Sequence, residues 1–434
     1  AEELITKRLL LLAHQKKKEI KNIEEEIAVL EQEMGICYNK DQKEAIICAN
    51  TANFLVITGG PGTGKTTIMK AIIELYKRLN KYSSRDLDDK IALLAPTGRA
   101  AKRMSEATFY KASTIHRFLK WNKDNDSFQV NEYNKSKVSF VLIDEASMID
   151  TYLFSNLLKG LSVNTKIILV GDADQLPSVG PGQILHDIIS SNMLDVCYLK
   201  ELYRQGKDSN IISLAYDIRN IFNISNDLTF IECSDSDVLD EISNIASVYK
   251  DLSYKDFQVL APMYKTINGI DNINNKLQNI FNKASKNKKS LTVGDYMLRE
   301  GDKVIQLSNM PDDNVYNGDI GLISRIVLKP NKEVYVDFDG NVVKYTPSSF
   351  NKFRLAYAIS IHKSQGSESD VVIIPLVKSF KKMLYRKLIY TGITRSKKSL
   401  FLIGDYKALE LAVSNTSTDL RRTSLKDFLI NGIK

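Results

Sequence analysis

Two short stretches of this chain carry residue types and spacing suited to phosphate chemistry. The first is Gly59-Gly60-Pro61-Gly62-Thr63-Gly64-Lys65-Thr66-Thr67. Its glycines let the backbone curl so that successive N–H groups face inward toward phosphate oxygens. Lys65 can reach the β- and γ-phosphates of a nucleotide, and the Thr66 hydroxyl can ligate Mg²⁺. Gly60 to Thr67 are therefore candidate nucleotide-binding residues. The second stretch is Asp144-Glu145, at the end of the apolar run Val138–Ile143. There Asp144 can hold Mg²⁺ and Glu145 can polarise an attacking water. A chance glycine turn or a helix-capping Asp-Glu accounts for either stretch alone. The pair, each at the exit of an apolar run, reads as a site that binds and hydrolyses a nucleoside triphosphate.

Such residues work only if regular elements hold them. Asn53–Thr58 is an apolar run of strand character, and Thr67–Leu75 has helical apolar spacing, so the glycine loop joins a buried strand to a helix. A further buried strand, Lys166–Val170, ends in the polar tip Gly171-Asp172-Ala173-Asp174-Gln175, where Gln175 is placed to meet a γ-phosphate or its water. Strands alternating with helices up to about residue 200 predict a parallel α/β domain. Phe257–Pro262 opens a second strand-led unit. From Asp295 to Ser349 short runs at 302–307, 319–327, 333–338 and 341–346 are divided by turn clusters, which predicts a small all-β module. The α/β pattern then resumes, so the module is an insertion.

The expected organisation is a helical segment at 1–37, whose apolar seam Ile20, Ile23, Ile27, Leu30 and Met34 suits docking on the motor rather than a coiled coil. A first α/β domain follows at 38–200 with a β-hairpin excursion at about 118–137 that carries Trp121. The second α/β domain spans 201–294 and 350–434, interrupted by the β module at 295–349. The 434 residues include 60 basic and 52 acidic side chains and 43% hydrophobic residues, ample for packed cores. The net charge of +8 is compatible with a polyanionic partner without requiring one. Four cysteines without a CxxC pair argue against a metal cluster or disulfide framework and point to a reducing cytoplasm. No apolar run approaches the roughly 20 residues that span a bilayer.

Several residues are weaker candidates. Gln42, upstream of the glycine loop, could pair with adenine through its amide or simply face solvent. Pro96-Thr97-Gly98-Arg99-Ala100-Ala101-Lys102-Arg103 suits contact with a nucleic-acid backbone and equally suits a capped, solvated helix. Ser113–Phe118, which contains His116, offers more backbone-contacting types, and Leu355–Glu368, which contains His362 and Lys363, carries many polar groups in one turn. The hairpin near Trp121 is either a surface insertion or a wedge against a duplex.

The ordered set GGPGTGKT, APTGRAA, STIHRF, LIDEAS, VGDADQLPSVGPG, LYRQ, AYAISIHKSQGSE and YTGITRSKK resembles superfamily 1 helicases, and most closely their RecD-like branch. The resemblance runs from about Asn39 to Gly404. It implies two RecA-like P-loop motor domains with parallel sheets, a short hairpin in the first and an SH3-like insert in the second. By motif position it assigns adenine to Gln42, phosphates and Mg²⁺ to Gly62, Gly64, Lys65 and Thr66, and Mg²⁺ to Asp144. It makes Glu145 the catalytic base, Gln175 a γ-phosphate sensor, and Arg204 and Arg395 arginine fingers. Thr97, Arg99, His116, His362 and Lys363 match positions near single-stranded DNA. The implied activity is ATP-dependent 5′→3′ unwinding in DNA repair or recombination, by a cytoplasmic monomer acting on single strands and junctions, with other repair or recombination proteins as partners. The alternatives are an ATP-gated translocase subunit that does not unwind alone, and an RNA helicase. Relatives in this branch often carry a sizeable region ahead of the motor, whereas Tyr38 lies close to the start here, as expected of a truncated or minimal relative. There is no nuclease motif, so the chain alone is not expected to cut DNA.

Overall fold

The computed structural model describes residues 1–122, 125, 127–200, 214, 228–416 and 421–433. Arg204 and the helical pattern expected at 208–222 lie outside the described residues, apart from residue 214. The chain divides into two compact units, Ala1–Asp208 with Leu420–Lys434, and Ser209–Asp419.

In the first unit strands β1 (Phe54–Gly59), β2 (Ile91–Ala95) and β3 (Ala112–Thr114) are followed by the short pair β4 (Trp121–Asn122) and β5 (Ser127–Phe128). Then come β6 (Phe140–Ile143), β7 (Lys166–Gly171) and β8 (Val196–Leu199). Six of them form a parallel sheet in the order β3-β2-β6-β7-β1-β8. Its four central strands, β2, β6, β7 and β1, are Ile-, Leu- and Val-rich and almost wholly buried, as a parallel sheet covered on both faces requires, whereas the edge strands β3 and β8 are partly exposed. The two phosphate-related stretches leave the same sheet edge, because β1 and β6 both flank β7 and all three run in one direction. β4 and β5 pair antiparallel, Trp121 opposite Phe128, which is the predicted hairpin.

Two helices precede β1 on the flank of this unit, ahead of the helix Lys40–Thr51. Glu2–His14 buries Ile5, Leu9 and Leu12, and Ile23–Met34 buries Ile27 and Leu30 against the helix Lys65–Leu79. Of the expected seam, Ile23, Ile27, Leu30 and Met34 pack on the unit, while Ile20 lies ahead of the helix. The last helix, Leu425–Asn431, also belongs here. Leu425 and Leu429 pack into the core shared by Glu2–His14 and the helix Ile184–Ser191. The second domain expected at 201–294 and 350–434 therefore does not include this helix, whose apolar face finds its partners in the first unit.

The second unit holds β9 (Leu228–Glu232), β10 (Phe257–Ala261), the hairpin β11 (Ser290–Val293) and β12 (Tyr296–Arg299), and β13 (Lys303–Gln306). It continues with β14 (Ile320–Val327), β15 (Glu333–Phe338), β16 (Asn341–Tyr345), β17 (Phe353–Leu355), β18 (Ala358–Ser360), β19 (Ser369–Leu376) and β20 (Ser396–Gly404). A parallel sheet β18-β10-β19-β20-β9 is interrupted by an antiparallel sheet β16-β15-β14-β13-β17. Buried polar groups fix the insert at its root. Asp302 accepts from Gln278 Nε2 (2.6 Å), Asn282 Nδ2 (2.7 Å) and the Arg299 N–H (2.6 Å). Lys303 Nζ donates to Phe257 O (2.8 Å) and Gln258 Oε1 (2.9 Å) on β10. These bonds tie the first strand of the insert to β10 and to the end of the helix Ile270–Phe281, and they satisfy ionic groups that burial would otherwise penalise.

Candidate nucleotide and nucleic-acid sites

The loop after β1 is shaped by its glycines where the backbone demands them. Gly64 lies at φ +80° as the cap of the helix Lys65–Leu79, and a Cβ there would collide with the Gln42 amide nitrogen. Gly62 is also left-handed, at φ +72°. Thr63 Oγ1 donates back to Gly60 O (2.9 Å), closing the curl. Lys65 Nζ lies over the loop, donating to Gly59 O (2.6 Å) and Gly60 O (2.7 Å). Its ammonium is thus already held where anionic oxygens above the loop would meet it, and the helix start adds backbone donors and the positive dipole end beneath. Thr66 and Thr67, in the first helical turn, are half-buried.

Gln42 is fully buried, and both ends of its amide are engaged by protein. Oε1 accepts from the Asn39 N–H (3.1 Å) in a capping box, and Nε2 donates to Thr63 O (3.1 Å) within the loop. In this arrangement Gln42 supports the phosphate loop; its second N–H and second lone pair remain, but the side chain is fully covered, so contact with adenine would require it to be uncovered.

Asp144 leaves β6 beside Glu145, whose backbone turns left-handed at φ +51°. A non-glycine residue held there is uncommon and clusters at functional sites. Gly171, at the end of β7, lets this turn pack closely, because a Cβ would press on Leu185 and on the Ala146 and Ser147 nitrogens. The Glu145 N–H donates to Asp144 Oδ1 (2.8 Å). Burial, and then the charge of Glu145, push the Asp144 carboxyl up to about 6, against the pull of that N–H, Arg103 and Lys65. A desolvated carboxylate beside a second carboxylate is a group that a divalent cation relieves. One carboxylate, a hydroxyl and substrate phosphates form a donor set that suits Mg²⁺, so Asp144 and Thr66 fit the ion. Arg103 was grouped in the sequence with the nucleic-acid candidates; its influence on Asp144 comes from the fold.

The direction of the Asp144 shift sets a test. Between the ordinary carboxylate value and about 6 the folded chain holds a proton that the unfolded chain has released, so stability falls as pH rises through that window. Asp144→Asn is therefore expected to raise the melting temperature of metal-free protein near pH 7.5, with the gain vanishing below about pH 4. The same variant is expected to lose the extra stabilisation that Mg²⁺ with ATP gives the parent, both read by calorimetry.

Gln175 sits at the end of β7's polar tip. Its Nε2 donates to Asp172 Oδ2 (3.3 Å), while its Oε1 is shielded from solvent and has no hydrogen-bond partner among the described residues. A buried unpaired acceptor is costly to maintain, and it suits a water or other donor brought by a nucleotide.

Among the nucleic-acid candidates, Thr97 caps the helix Gly98–Thr108, accepting from the Ala100 N–H (3.2 Å). The terminal nitrogens of Arg99 are buried. His116 lies edge-on to Trp121 (centroids 6.2 Å) and near Phe128 (5.9 Å), and burial pushes its pKa down. The hairpin base is thus aromatic, with Trp121 and Phe128 4.6 Å apart.

Arg395 belongs to the second unit and is buried. It donates to Thr391 O (3.1 Å), Thr394 Oγ1 (3.0 Å) and Ser367 O (3.3 Å). Ser367 follows the turn that holds His362 and Lys363, so Arg395 is knitted to that turn. The pKa of Lys363 is lowered by burial and by Arg354. His362 Nε2 lies 3.4 Å from the Tyr385 hydroxyl.

Three family models match. Residues 42–181 match an AAA domain, 273–338 an ATP-dependent RecD-like DNA helicase SH3 domain, and 355–403 a UvrD-like helicase C-terminal domain. The chain is 31% identical over 372 residues to the ATP-dependent RecD2 DNA helicase of Deinococcus radiodurans, covering 86% of this chain and 49% of that protein. It thus spans about half the length of that relative. It is 28% identical to the RecBCD enzyme subunit RecD of Buchnera aphidicola subsp. Schizaphis graminum, covering 83% of this chain and 71% of that one. In fold it is similar to the Pif1 helicase of Candida albicans (TM-score 0.51, 19% identity, 91% of this chain and 99% of that chain). It is likewise similar to Pif1 helicases solved in a study of unwinding at forked DNA (TM-score 0.52, 20% identity, 85% and 92%).

Proposed function

The chain belongs to the RecD-like branch of the superfamily 1 helicases, and from that premise we propose that it hydrolyses ATP to move 5′→3′ along single-stranded DNA and unwind duplex ahead of it. The observation that carries the reading is the RecD-like SH3 match at 273–338, on a β insert that interrupts a parallel α/β unit. A kinase or a simple NTPase has no use for that module. The phosphate loop, the Asp144–Glu145 turn and the unpaired Gln175 acceptor supply the hydrolytic half of the reading. Mg²⁺ bound by Thr66 and Asp144 would neutralise phosphate charge. Lys65 would bind the β- and γ-phosphates, Glu145 would take the proton of the attacking water, and Gln175 would orient that water.

Thr97, His116, His362 and Lys363 remain the proposed strand contacts, with Arg99 a weaker one because its guanidinium is buried. Arg395 is proposed to stabilise charge on the γ-phosphate in the transition state, and Arg204 is proposed for the same task on motif position alone. Arg395→Ala is expected to leave nucleotide affinity within a few-fold of the parent. Its turnover should fall by about 10³-fold or more, the range for such arginines, measured by nucleotide titration and steady-state ATPase. Lost affinity with turnover retained would refute the role.

The test of the function is ATPase with and without single-stranded DNA, followed by unwinding of duplexes bearing a 5′ or a 3′ tail. Stimulation by DNA and preference for the 5′ tail are expected. Absence of stimulation sinks the helicase reading, and preference for the 3′ tail sinks the polarity alone. The RecBCD-subunit relative supports a second reading, an ATP-driven translocase that unwinds only within a larger assembly. DNA-stimulated ATPase without strand displacement would select it.

A further inference from the structure

The C-terminal tail does more than add a helix to the first unit. Ahead of Leu425–Asn431, the Arg421 guanidinium gathers three backbone carbonyls of one loop. Its Nη1 donates to Gly180 O (2.8 Å) and Gly182 O (2.8 Å), and its Nη2 donates to Ser178 O (2.7 Å). The Ser178 hydroxyl lies at 3.5 Å from Nη1 and itself donates to Gly180 O (2.9 Å). Carbonyls that converge on one point repel each other unless a cation with several donors sits among them, and the planar fork of arginine supplies those donors in fixed geometry.

The loop is held on its other flank as well. The Thr151 N–H donates to Pro181 O (2.9 Å), and a Cβ at Gly180 would come within 2.6 Å of the Asp150 carboxylate. Gly182, at φ +100°, has no room for a side chain beside Thr151. Ser178 is separated from Gln175 only by Leu176, which is buried, and Pro177. The Ser178–Gly182 loop is therefore the direct continuation of the backbone that carries Gln175.

We propose that Arg421 is a positioning residue for ATP turnover, a clamp by which the C-terminal tail fixes the Ser178–Gly182 loop and, through it, Gln175. The inference rests on the hydrolytic role read for Gln175. Arg421 touches no substrate; it acts by removing loop arrangements in which Gln175 points elsewhere. Misplacement of a catalytic group by about 1 Å can cost up to 10²-fold in rate.

The test is steady-state ATPase of the full chain, basal and with saturating oligothymidylate, beside affinity for a fluorescent ATP analogue. Arg421→Ala is expected to lower kcat about 10-fold in both conditions, with nucleotide affinity within about 2-fold of the parent. Arg421→Lys keeps the charge without the parallel fork, and about 3-fold loss of kcat is expected. Leu429→Ala loosens the same tail helix without touching the loop; it should lower the melting temperature and spare kcat. An Arg421→Ala kcat equal to the parent's overturns the proposal, as does an equal loss in Leu429→Ala. If Arg421→Ala fails to fold, full kcat in Arg421→Lys overturns it and reduced kcat in a folded Arg421→Lys supports it. A parent without DNA stimulation would defeat the helicase reading, while basal kcat still reports on Arg421.

Discussion

Glu145→Gln is expected to lower ATP turnover by roughly 10³-fold while nucleotide affinity holds or improves. The two effects have opposite signs because the residue plays opposite parts in them. As a carboxylate at the exit of β6, Glu145 is the group proposed to take the proton of the attacking water. Its left-handed backbone at φ +51° fixes the direction in which its side chain leaves the strand. The same charge raises the Asp144 pKa. Removing it lets Asp144 ionise more readily, which favours Mg²⁺ and the nucleotide it accompanies. The parent's turnover should decline as pH falls through about 6, since a proton then competes with the ion at Asp144. In Glu145→Gln, Mg²⁺-dependent nucleotide binding should persist to lower pH than in the parent. Turnover within about tenfold of the parent would mean that the base lies elsewhere. Weaker Mg²⁺·ATP binding in the variant would contradict the repulsion between the two carboxylates.

The parts of this architecture that were legible in the sequence are those whose physics is local. A phosphate loop needs its glycines, lysine and threonine in one contiguous run between a strand and a helix, and that run is where the structure bends. The β insert shows in period-2 runs and turn clusters; runs read at 302–307 and 333–338 became β13 at Lys303–Gln306 and β15 at Glu333–Phe338. What stayed hidden depends on residues distant in sequence. Nothing in Arg421-Arg422-Thr423-Ser424 announces three carbonyls 239 to 243 positions earlier. Leu425 and Leu429 show a helical face but not which unit covers it. Arg103 has a helical position that suits solvent or nucleic acid, and its effect on Asp144 follows from how β2 and β6 pair. The amide of Gln42 can pair with a base, which the local sequence allows; the fold adds a second use, because the same amide bridges the Asn39 N–H and the Thr63 carbonyl.

Gln42→Ala separates these two uses. In the structure the side chain bridges the Asn39 N–H and the Thr63 carbonyl, so its loss leaves two backbone groups to find new partners, at roughly 1–3 kcal/mol for each that stays buried and unpaired. It also opens space beside Gly64, whose missing Cβ is where the Gln42 amide packs. The loop should then sample arrangements unfit for phosphate. Affinity for ATP and for GTP is expected to fall by the same factor, about tenfold or about 1.4 kcal/mol, together with a lower melting temperature. An adenine contact predicts another pattern, in which ATP affinity falls, GTP affinity does not, and any preference for ATP disappears. Gly64→Ala tests the same packing from the other side. It forces a side chain into the Gln42 amide and into a left-handed backbone, so nucleotide binding should be lost. Adding Gln42→Ala to Gly64→Ala removes the collision but not the φ +80° strain, so at most partial recovery is expected. Full recovery in the double variant would show that the clash alone sets the loop, and no recovery would show that the backbone conformation does.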